Sequence, residues 1–548
     1  MFASSRPDIL PKYWLVFLLA GGAVLYLLTR QHVFTIDSLY YLWGVEHADW
    51  RYLLHPHHLL QELALRGWWR LWQGFGWTGG AILPIQVGNV LVTLAFLALA
   101  ARLLDTVLQD RRWVVQWLLL LAFSYLVWHQ ATQAEGLPLF SLGAVACLLW
   151  TARLPLRSAA NPPTGRTALA LAGLIAFAVL VHQSLVLWAP LLAAMLAREA
   201  PAGRRLQLAG LALGAAGGLV LGCYLAAAFL VHGSLSPPLL AQWFTTYSRE
   251  FAGRCGSLAL LCSIDIFRGS SAAFLSGSPL KPYVFGAKAV DPLLVVRLLP
   301  FGLLGFVLLS GLLKLPSAYR RRDGAERRMV LYLALLALVG ALFAGWWEPG
   351  NRKFWAPILP ALVALAALGW QAWSSSGTRP RPILLGRPQL GWLLVGVLFA
   401  HNLFGSIWPC HRLRDDRQPL LVYLTQQTSP RDTVILPEGR TWQCAVYFQP
   451  DLPVHGIPGP WSNRDDSDHA VFRRAVASAR ESLRDGHTLL ISACQWPRVR
   501  AELAPDLGRL PAPVPVMKFV DLDQGLPEQQ LLAVRMPPPG ASSAGLLR

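Results

Sequence analysis

Two carboxylates that follow apolar stretches are the residues of this chain best suited to chemistry. Asp37 lies in the run Phe34-Thr-Ile-Asp-Ser-Leu-Tyr-Tyr41, and Glu135 ends the run His129-Gln-Ala-Thr-Gln-Ala-Glu135. A carboxylate at the edge of a low-dielectric phase binds a proton more tightly, which suits a general base that deprotonates a hydroxyl. We therefore predict that Asp37 and Glu135 are catalytic. The structural alternatives are that Asp37 is a helix N-cap and that Glu135 simply lies near a helix N-terminus.

Tyrosines and histidines around these carboxylates could bind a substrate. The predicted substrate-binding residues of this group are Tyr40, Tyr41, His55, His57, His58 and His182. Pro56 interrupts the His55–His58 cluster and prevents the helical i,i+4 spacing of a metal-binding pair. A divalent metal is therefore not favoured, and no cofactor is firmly implied. The alternatives are a polar loop at the membrane surface for the cluster and a simple polar turn for His182.

A cationic pair lies in the aromatic run from Trp346 to Trp355. Arg352 and Lys353 stand out because the other short loops on the same predicted side carry no Lys or Arg. A phosphate-bearing ligand would use such donors, so both are predicted substrate-binding residues. The alternative is that both side chains snorkel to the membrane edge beside the tryptophans.

The composition is that of a membrane protein. The 548 residues are 54% hydrophobic and only 14% charged, and the mean hydropathy is +0.42, whereas a soluble protein has about 25% charged residues. The net charge of +18 does not indicate a nucleic acid partner, because the arginines fall in short loops between apolar stretches. The chain has no Gly-rich phosphate loop and no predicted cytosolic domain for nucleotide chemistry, which argues against an ATP-driven pump. It also has no Gly-x-Ser-x-Gly nucleophile elbow.

Apolar stretches predict a polytopic α-helical membrane protein with about eleven transmembrane helices. The predicted spans are 13–29, 81–103, 113–128, 137–152, 168–181, 185–197, 207–231, 292–313, 329–347, 356–374 and 389–406. Arginines follow every even-numbered span, which places the N-terminus inside and the outer loops at 30–80, 129–136, 232–291 and 348–355. The two short stretches in 168–197 are predicted as a hairpin, because a single helix would place the arginines near 320 outside.

The remaining sequence predicts a second domain. Residues 1–408 form the predicted transmembrane catalytic domain, and 409–535 a small extracytoplasmic α/β domain. The strand-like runs 433–436 and 488–492 flank a helix-like stretch at 469–483, and the tail 536–548 has a disordered composition. Cys255 and Cys262 lie in an outer segment, where an oxidising compartment permits a disulfide between them.

This layout resembles the GT-C superfamily of membrane glycosyltransferases, which includes protein O-mannosyltransferases and aminoarabinose transferases. The resemblance rests on the Asp37 run, the motif His55-Pro-His-His-Leu-Leu60, the runs 127–135 and 180–184, and an outer C-terminal domain. It covers residues 10–200 well and the remainder only by architecture. Familiar members often have paired Asp-Glu in the first loop, whereas Ser38 follows Asp37 here.

The resemblance implies an inverting transferase in a bacterial-type inner membrane that moves a sugar from a polyprenyl phosphate to an extracytoplasmic glycan, lipid or protein. Asp37 would deprotonate the acceptor, Glu135 would orient a substrate, and Arg352 and Lys353 would hold the lipid phosphate. The partners implied are the lipid-linked donor, the acceptor and the bilayer. A transporter or flippase for lipid-linked sugars is the alternative, although the chain has no inverted repeat. A non-catalytic assembly factor for envelope polysaccharide is a third hypothesis.

Overall fold

Helices make up most of the computed structural model. It describes residues 13–108, 110–245, 264–277, 292–375, 388–412, 418–437, 440–449, 451–457, 467–507, 510–519 and 529–536. The helices up to residue 245 are α1 Trp14–Leu28, α2 Ile36–His47, α3 Gln61–Gly74, α4 Ile82–Val107, α5 Arg111–Ala122, α6 Tyr125–Thr132, α7 Leu137–Ser158, α8 Gly165–Val181, α9 Ala189–Glu199, α10 Arg205–His232 and α11 Pro237–Phe244. The later ones are α12 Ile264–Phe274, α13 Pro292–Arg320, α14 Gly324–Trp347, α15 Leu359–Ser375, α16 Pro388–Asn402, α17 Trp408–Arg412, α18 Gln418–Gln427, α19 Arg440–Phe448, α20 Ser467–Arg484 and α21 Trp496–Leu507.

Every predicted span coincides with helical structure, but not every helix is long enough to cross a bilayer. Within the described residues, six helices are long and apolar enough, and the bent pair α5–α6 would be a seventh. The helices α1, α8 and α15 are apolar but shorter. The structure thus supports a multi-pass helical protein, while the number of eleven spans stays a prediction.

The predicted span at 113–128 is broken in the structure. Helices α5 and α6 meet at 59°, because Ser124 has an extended backbone with φ −60° and ψ 140°. Its hydroxyl donates to the Leu121 carbonyl at 2.6 Å, which satisfies an acceptor at the end of α5. Every residue of α6 is buried as a result.

The region 168–197 contains two helices, as predicted. Helix α8 ends where His182 adopts an extended backbone with φ −155° and ψ 117°. A short 3-10 helix, Gln183–Trp188, then leads into α9.

The chain forms two compact units. The first contains the residues up to Gln31 and those from Ala48 to His411, and its core is one continuous apolar cluster. Trp128, Tyr26, Phe96 and Phe140 are among its largest fully buried side chains. Burial of such large side chains stabilises a helical bundle through close packing.

The second unit combines His32–His47 with the residues from Arg412 onward. Its strands are β1 Thr433–Pro437, β2 Val454–Ile457, β3 Thr488–Ser492, β4 Val514–Phe519 and β5 Gln529–Arg535. They form one sheet in the order β2-β1-β3-β5-β4, in which β1 pairs in parallel with β2 and β3, and β5 pairs antiparallel with β3 and β4. Helix α2 packs on α19, where the Tyr447 hydroxyl donates to the Glu46 carboxylate at 2.7 Å. The prediction had assigned 32–47 to the transmembrane domain, whereas these residues fold with the sheet.

Candidate functional site

A buried ion pair lies at the centre of the candidate site in the first unit. The Glu135 carboxylate is 2.9 Å from the Lys353 ammonium, and the two side chains are 1% and 20% exposed. A charge removed from water in this way is costly unless an opposite charge is held beside it. Glu135 and Lys353, which are far apart in sequence, are therefore fixed against each other.

Amides from α4 hold the backbone that presents Glu135. The Asn89 side chain donates to the carbonyl of Gln133 at 2.8 Å and to that of Glu135. One turn earlier, Gln86 donates to the carbonyls of Gln31 and Thr132 at 2.9 and 3.0 Å. These bonds satisfy the irregular backbone between α6 and α7, which would otherwise be buried without partners. Glu135 is thus anchored from α4 rather than free to move with a loop.

Arg352 also faces the interior of the first unit. Its guanidinium lies 2.8 Å from Nε2 of His129 and 4.7 Å from the centre of the Tyr125 ring. The rings of Tyr125 and His129 stack with their centres 5.3 Å apart. Arg352 and Lys353 thus both bind buried residues, His129 and Glu135.

The loop that carries the two cations is braced from within and from α12. Asn351 accepts from the Lys353 amide at 3.0 Å and donates to Glu348 at 3.0 Å, while the Trp355 indole donates to the Pro349 carbonyl at 3.1 Å. Helix α12 approaches so closely that a Cβ on Gly269 would lie 1.8 Å from that same carbonyl oxygen. A residue without a side chain is therefore required at position 269.

The four histidines His55, His57, His58 and His182 form a second cluster. His55 stacks on His58 with ring centres 5.0 Å apart, and His57 meets His182 at 4.9 Å. The Gln183 amide donates to the His57 carbonyl at 3.0 Å, which joins the loop to the turn after α8. His182 is thus part of the cluster, and the simple polar turn proposed as its alternative does not describe it.

Burial keeps these imidazoles neutral. It lowers the pKa of His55 and that of His57 to about 4, and it lowers the pKa of His58 and of His182 well below the ordinary value. Nδ1 of His182 accepts from the Ser184 amide at 3.3 Å, so the proton of the neutral ring is on Nε2. Neutral imidazoles both donate and accept hydrogen bonds, which suits contact with hydroxyl groups.

Gln61 and Glu62 connect the histidines to Glu135. The Glu62 carboxyl lies 3.3 Å from Nδ1 of His58, and burial raises its pKa to about 8. A Cβ on Gly136 would lie 2.3 Å from the Gln61 side chain, so Gln61 packs against the residue that follows Glu135. On the other side, the His182 ring centre is 6.1 Å from that of Phe354, next to Lys353. The two clusters are therefore neighbours in one site.

Buried hydrogen-bonding atoms without partners are concentrated at this site. Within the described residues, neither atom of the Gln61 amide has a hydrogen-bond partner, and both Glu62 side-chain oxygens lack one. The same holds for Nδ1 of His129 and the amide nitrogen of Gln130. Such atoms are costly to bury unless a ligand or water satisfies them.

Asp37, Tyr40 and Tyr41 lie on α2, which belongs to the second unit. Asp37 and Tyr40 are exposed, and Tyr41 is half-buried. The N-cap alternative for Asp37 is wrong, because the Thr35 hydroxyl accepts from the Ser38 amide at 3.1 Å and so caps α2. Asp37 occupies the exposed first turn of that helix instead.

The described residues contain no group of three His, Cys, Asp or Glu side chains that could hold a metal ion. Within the histidine cluster, His55 and His58 stack, and the other ring pairs meet edge to face. Cys255 and Cys262 lie outside the residues that the structure describes.

Sequence reasoning missed His129, Gln61 and Glu62 as site residues. His129 was only part of a motif, and its partner Arg352 lies 223 positions later. A local signal did exist for Glu62, since it follows His58 by four residues at the start of a helix.

Together, these residues lie in a multi-pass helical membrane protein whose fold is similar to that of solved structures. The chain is similar to ArnT from Cupriavidus metallidurans bound to undecaprenyl phosphate, with TM-score 0.59 and 14% identity over 95% of this chain and 98% of that one. For the same protein in the apo state, the TM-score is 0.57 with 13% identity, covering 95% and 97% of the chains. The chain is also similar to the Archaeoglobus fulgidus oligosaccharyltransferase in the apo form, with TM-score 0.48 and 14% identity over 92% of this chain and 70% of that one. No family model and no curated protein matches the chain.

Proposed function

We propose that this chain is an integral membrane glycosyltransferase that moves a sugar from a polyprenyl-phosphate donor to an extracytoplasmic acceptor. The observation that carries the proposal is the pair Arg352 and Lys353, held inward on a braced loop beside Glu135 and His129. The fold supports it, because the similar ArnT structure contains undecaprenyl phosphate.

Arg352 and Lys353 would bind the phosphate of the donor. A guanidinium and an ammonium side by side neutralise the charge that grows on the phosphate when the sugar leaves. Half-buried cations act more strongly than exposed ones, since the surrounding dielectric is lower. His129 and Tyr125 would keep the Arg352 guanidinium in the orientation that binds phosphate.

Asp37 would be the general base. The acceptor hydroxyl oxygen attacks the anomeric carbon, its proton passes to Asp37, and the carbon–oxygen bond to phosphate breaks with both electrons leaving on the phosphate. Attack from the side opposite the leaving group inverts the anomeric centre. Asp37 is exposed on α2, so its carboxylate is accessible from solvent.

Glu135 would act as a positioning residue. Its carboxylate is tied to Lys353 at 2.9 Å, so it sets the place of the ammonium rather than taking a proton itself. Gln61 and Glu62 would meet the hydroxyls of the sugar, because their buried side-chain atoms need hydrogen-bond partners. The neutral histidines, which can both donate and accept, would add further hydrogen bonds.

In this proposal the protein lies in a bacterial cytoplasmic membrane with its N-terminus inside and the α/β unit outside. The test is donor consumption by the full chain in lipid nanodiscs, using a panel of polyprenyl-phosphate sugars with and without Arg352→Gln. Consumption of one donor by the wild type, with strongly reduced consumption by Arg352→Gln, is expected. Failure of the wild type to bind or consume any donor would overturn the proposal.

A further inference from the structure

A groove at the other end of α7 has the features of a second binding site. Its volume is about 880 Å³, and it lies between α4, α7, α8 and the chain that joins α7 to α8. Leu99, Leu149 and Leu174 form apolar walls, while Arg153 and Arg157 supply charge. We call it the Arg153 groove.

The groove is remote from the candidate site. Helix α7 begins two residues after Glu135 and has 22 residues, which corresponds to a length of about 33 Å. Arg153 and Arg157 lie in its last turns, so the charged part of the groove is at the end of α7 opposite Glu135. No residue of the groove has a role in the proposed transfer reaction.

Positive charge in the Arg153 groove exceeds negative charge. Arg153 and Arg157 are spaced i,i+4 and therefore share one face of α7, where like charges destabilise a helix. The charges of Arg157 and Arg102 both repel that of Arg153, and Asp105 attracts it. Arg153 thus experiences two like charges and one opposite charge. Within the described residues neither Arg153 nor Arg157 has an ion-pair partner. An anion bound there would relieve the repulsion.

The apolar walls indicate what kind of anion fits. A free inorganic anion needs only hydrogen-bond donors. The leucine walls and the partly buried Trp150 can in addition contact the hydrocarbon of a lipid. A cavity of this size is in the range that encloses small ligands, and basic pockets between transmembrane helices bind lipid headgroups. We propose that the Arg153 groove binds the phosphate-bearing headgroup of an anionic membrane lipid, with the upper acyl chains against its leucines.

The test is lipid retention by the purified full chain, measured by native mass spectrometry after incubation with equal amounts of phosphatidylglycerol and phosphatidylcholine. The wild type should retain phosphatidylglycerol at least about tenfold in preference. The double variant Arg153→Gln/Arg157→Gln should lose that preference. The control Arg112→Gln, an exposed arginine at the start of α5 that does not line the groove, should keep it.

A second variant separates the groove from general surface attraction. Leu99→Trp fills the groove without changing charge, so it should also reduce retention of phosphatidylglycerol. Equal loss in Arg112→Gln, or unchanged preference in both groove variants, would overturn the proposal. Displacement of the lipid by inorganic phosphate alone would overturn the lipid assignment and show a simple anion site instead.

Discussion

Glu135 and Asp37 both follow an apolar stretch of the sequence, yet the two carboxylates have opposite surroundings. Glu135 is buried, tied to Lys353 and anchored by amides from α4. Asp37 is exposed in the first turn of α2, a helix that Thr35 caps and that folds with the α/β unit. A carboxylate whose charge is held by a lysine is a poor proton acceptor, whereas an exposed one is available. This difference is the reason why we propose a positioning role for Glu135 and a proton-transfer role for Asp37.

The largest expected effect is the loss of sugar transfer when the exposed Asp37 carboxylate is replaced. Asp37→Asn should insert and fold normally but reduce sugar transfer by about 100-fold or more, because the amide cannot take the proton. The measurement is product formation at saturating donor, with thermal unfolding as a control for folding. Transfer at the wild-type rate by Asp37→Asn would remove Asp37 from the chemistry.

Replacement of the buried Glu135 carboxylate should instead lower the stability of the fold. Glu135→Gln leaves Lys353 buried without its counter-charge and should cost about 3 kcal/mol. The double variant Glu135→Gln/Lys353→Met removes both charges and should recover much of that loss. Thermal unfolding of the single and double variants measures the coupling, and simple additivity would contradict the ion pair as a structural unit.

The loop that carries Arg352 and Lys353 gives a sharper test of how these two cations are positioned. Gly269→Ala should reduce donor turnover about tenfold or more, since its Cβ would collide with the Pro349 carbonyl and displace the loop that carries Arg352 and Lys353. The matched control is Gly173→Ala in α8, where an added Cβ meets nothing within 4 Å. Full activity in Gly269→Ala would mean that the placement of this loop does not limit the reaction.

The smallest effect is expected at the buried Glu62 carboxyl, and it concerns the pH dependence of stability. Burial raises the pKa of Glu62 from 4.5 to about 8, so the folded protein holds this proton more tightly than the unfolded chain. The contribution of Glu62 to stability is then complete below about pH 4.5 and is lost as the pH rises through about 8. Glu62→Gln has no such titration. The difference in melting temperature between Glu62→Gln and the wild type should therefore shift in favour of the variant as the pH rises from about 5 to about 9. A constant difference across that range, or the same trend in the exposed control Glu502→Gln, would contradict a buried neutral Glu62.

Local patterns in the sequence predicted much of the fold. Apolar runs located the helices because a bilayer sets their length, and the strand-like runs 433–436 and 488–492 became β1 and β3. Strands β2, β4 and β5 were not predicted. The break between α5 and α6 was also missed, since the apolar run resumes directly after Ser124 and continues to Trp128.

The site was predicted less completely than the fold. Arg352 and Lys353 stood out as charges in an outer loop, but their partners His129 and Glu135 are more than 200 positions away. Such pairings depend on how the helices pack, which local spacing does not encode. The grouping of residues 32–47 with the sheet is likewise a tertiary property that local spacing does not encode.

The measurement that tests the central claim most directly compares binding of undecaprenyl phosphate with that of the same polyprenol without phosphate. The full chain in nanodiscs is titrated with each lipid, first as the wild type and then as Arg352→Gln. We predict that the wild type binds the phosphate form at least about tenfold more tightly and that Arg352→Gln loses most of this difference. Equal affinity of the wild type for the two lipids would contradict the assignment of Arg352 and Lys353 to the donor phosphate.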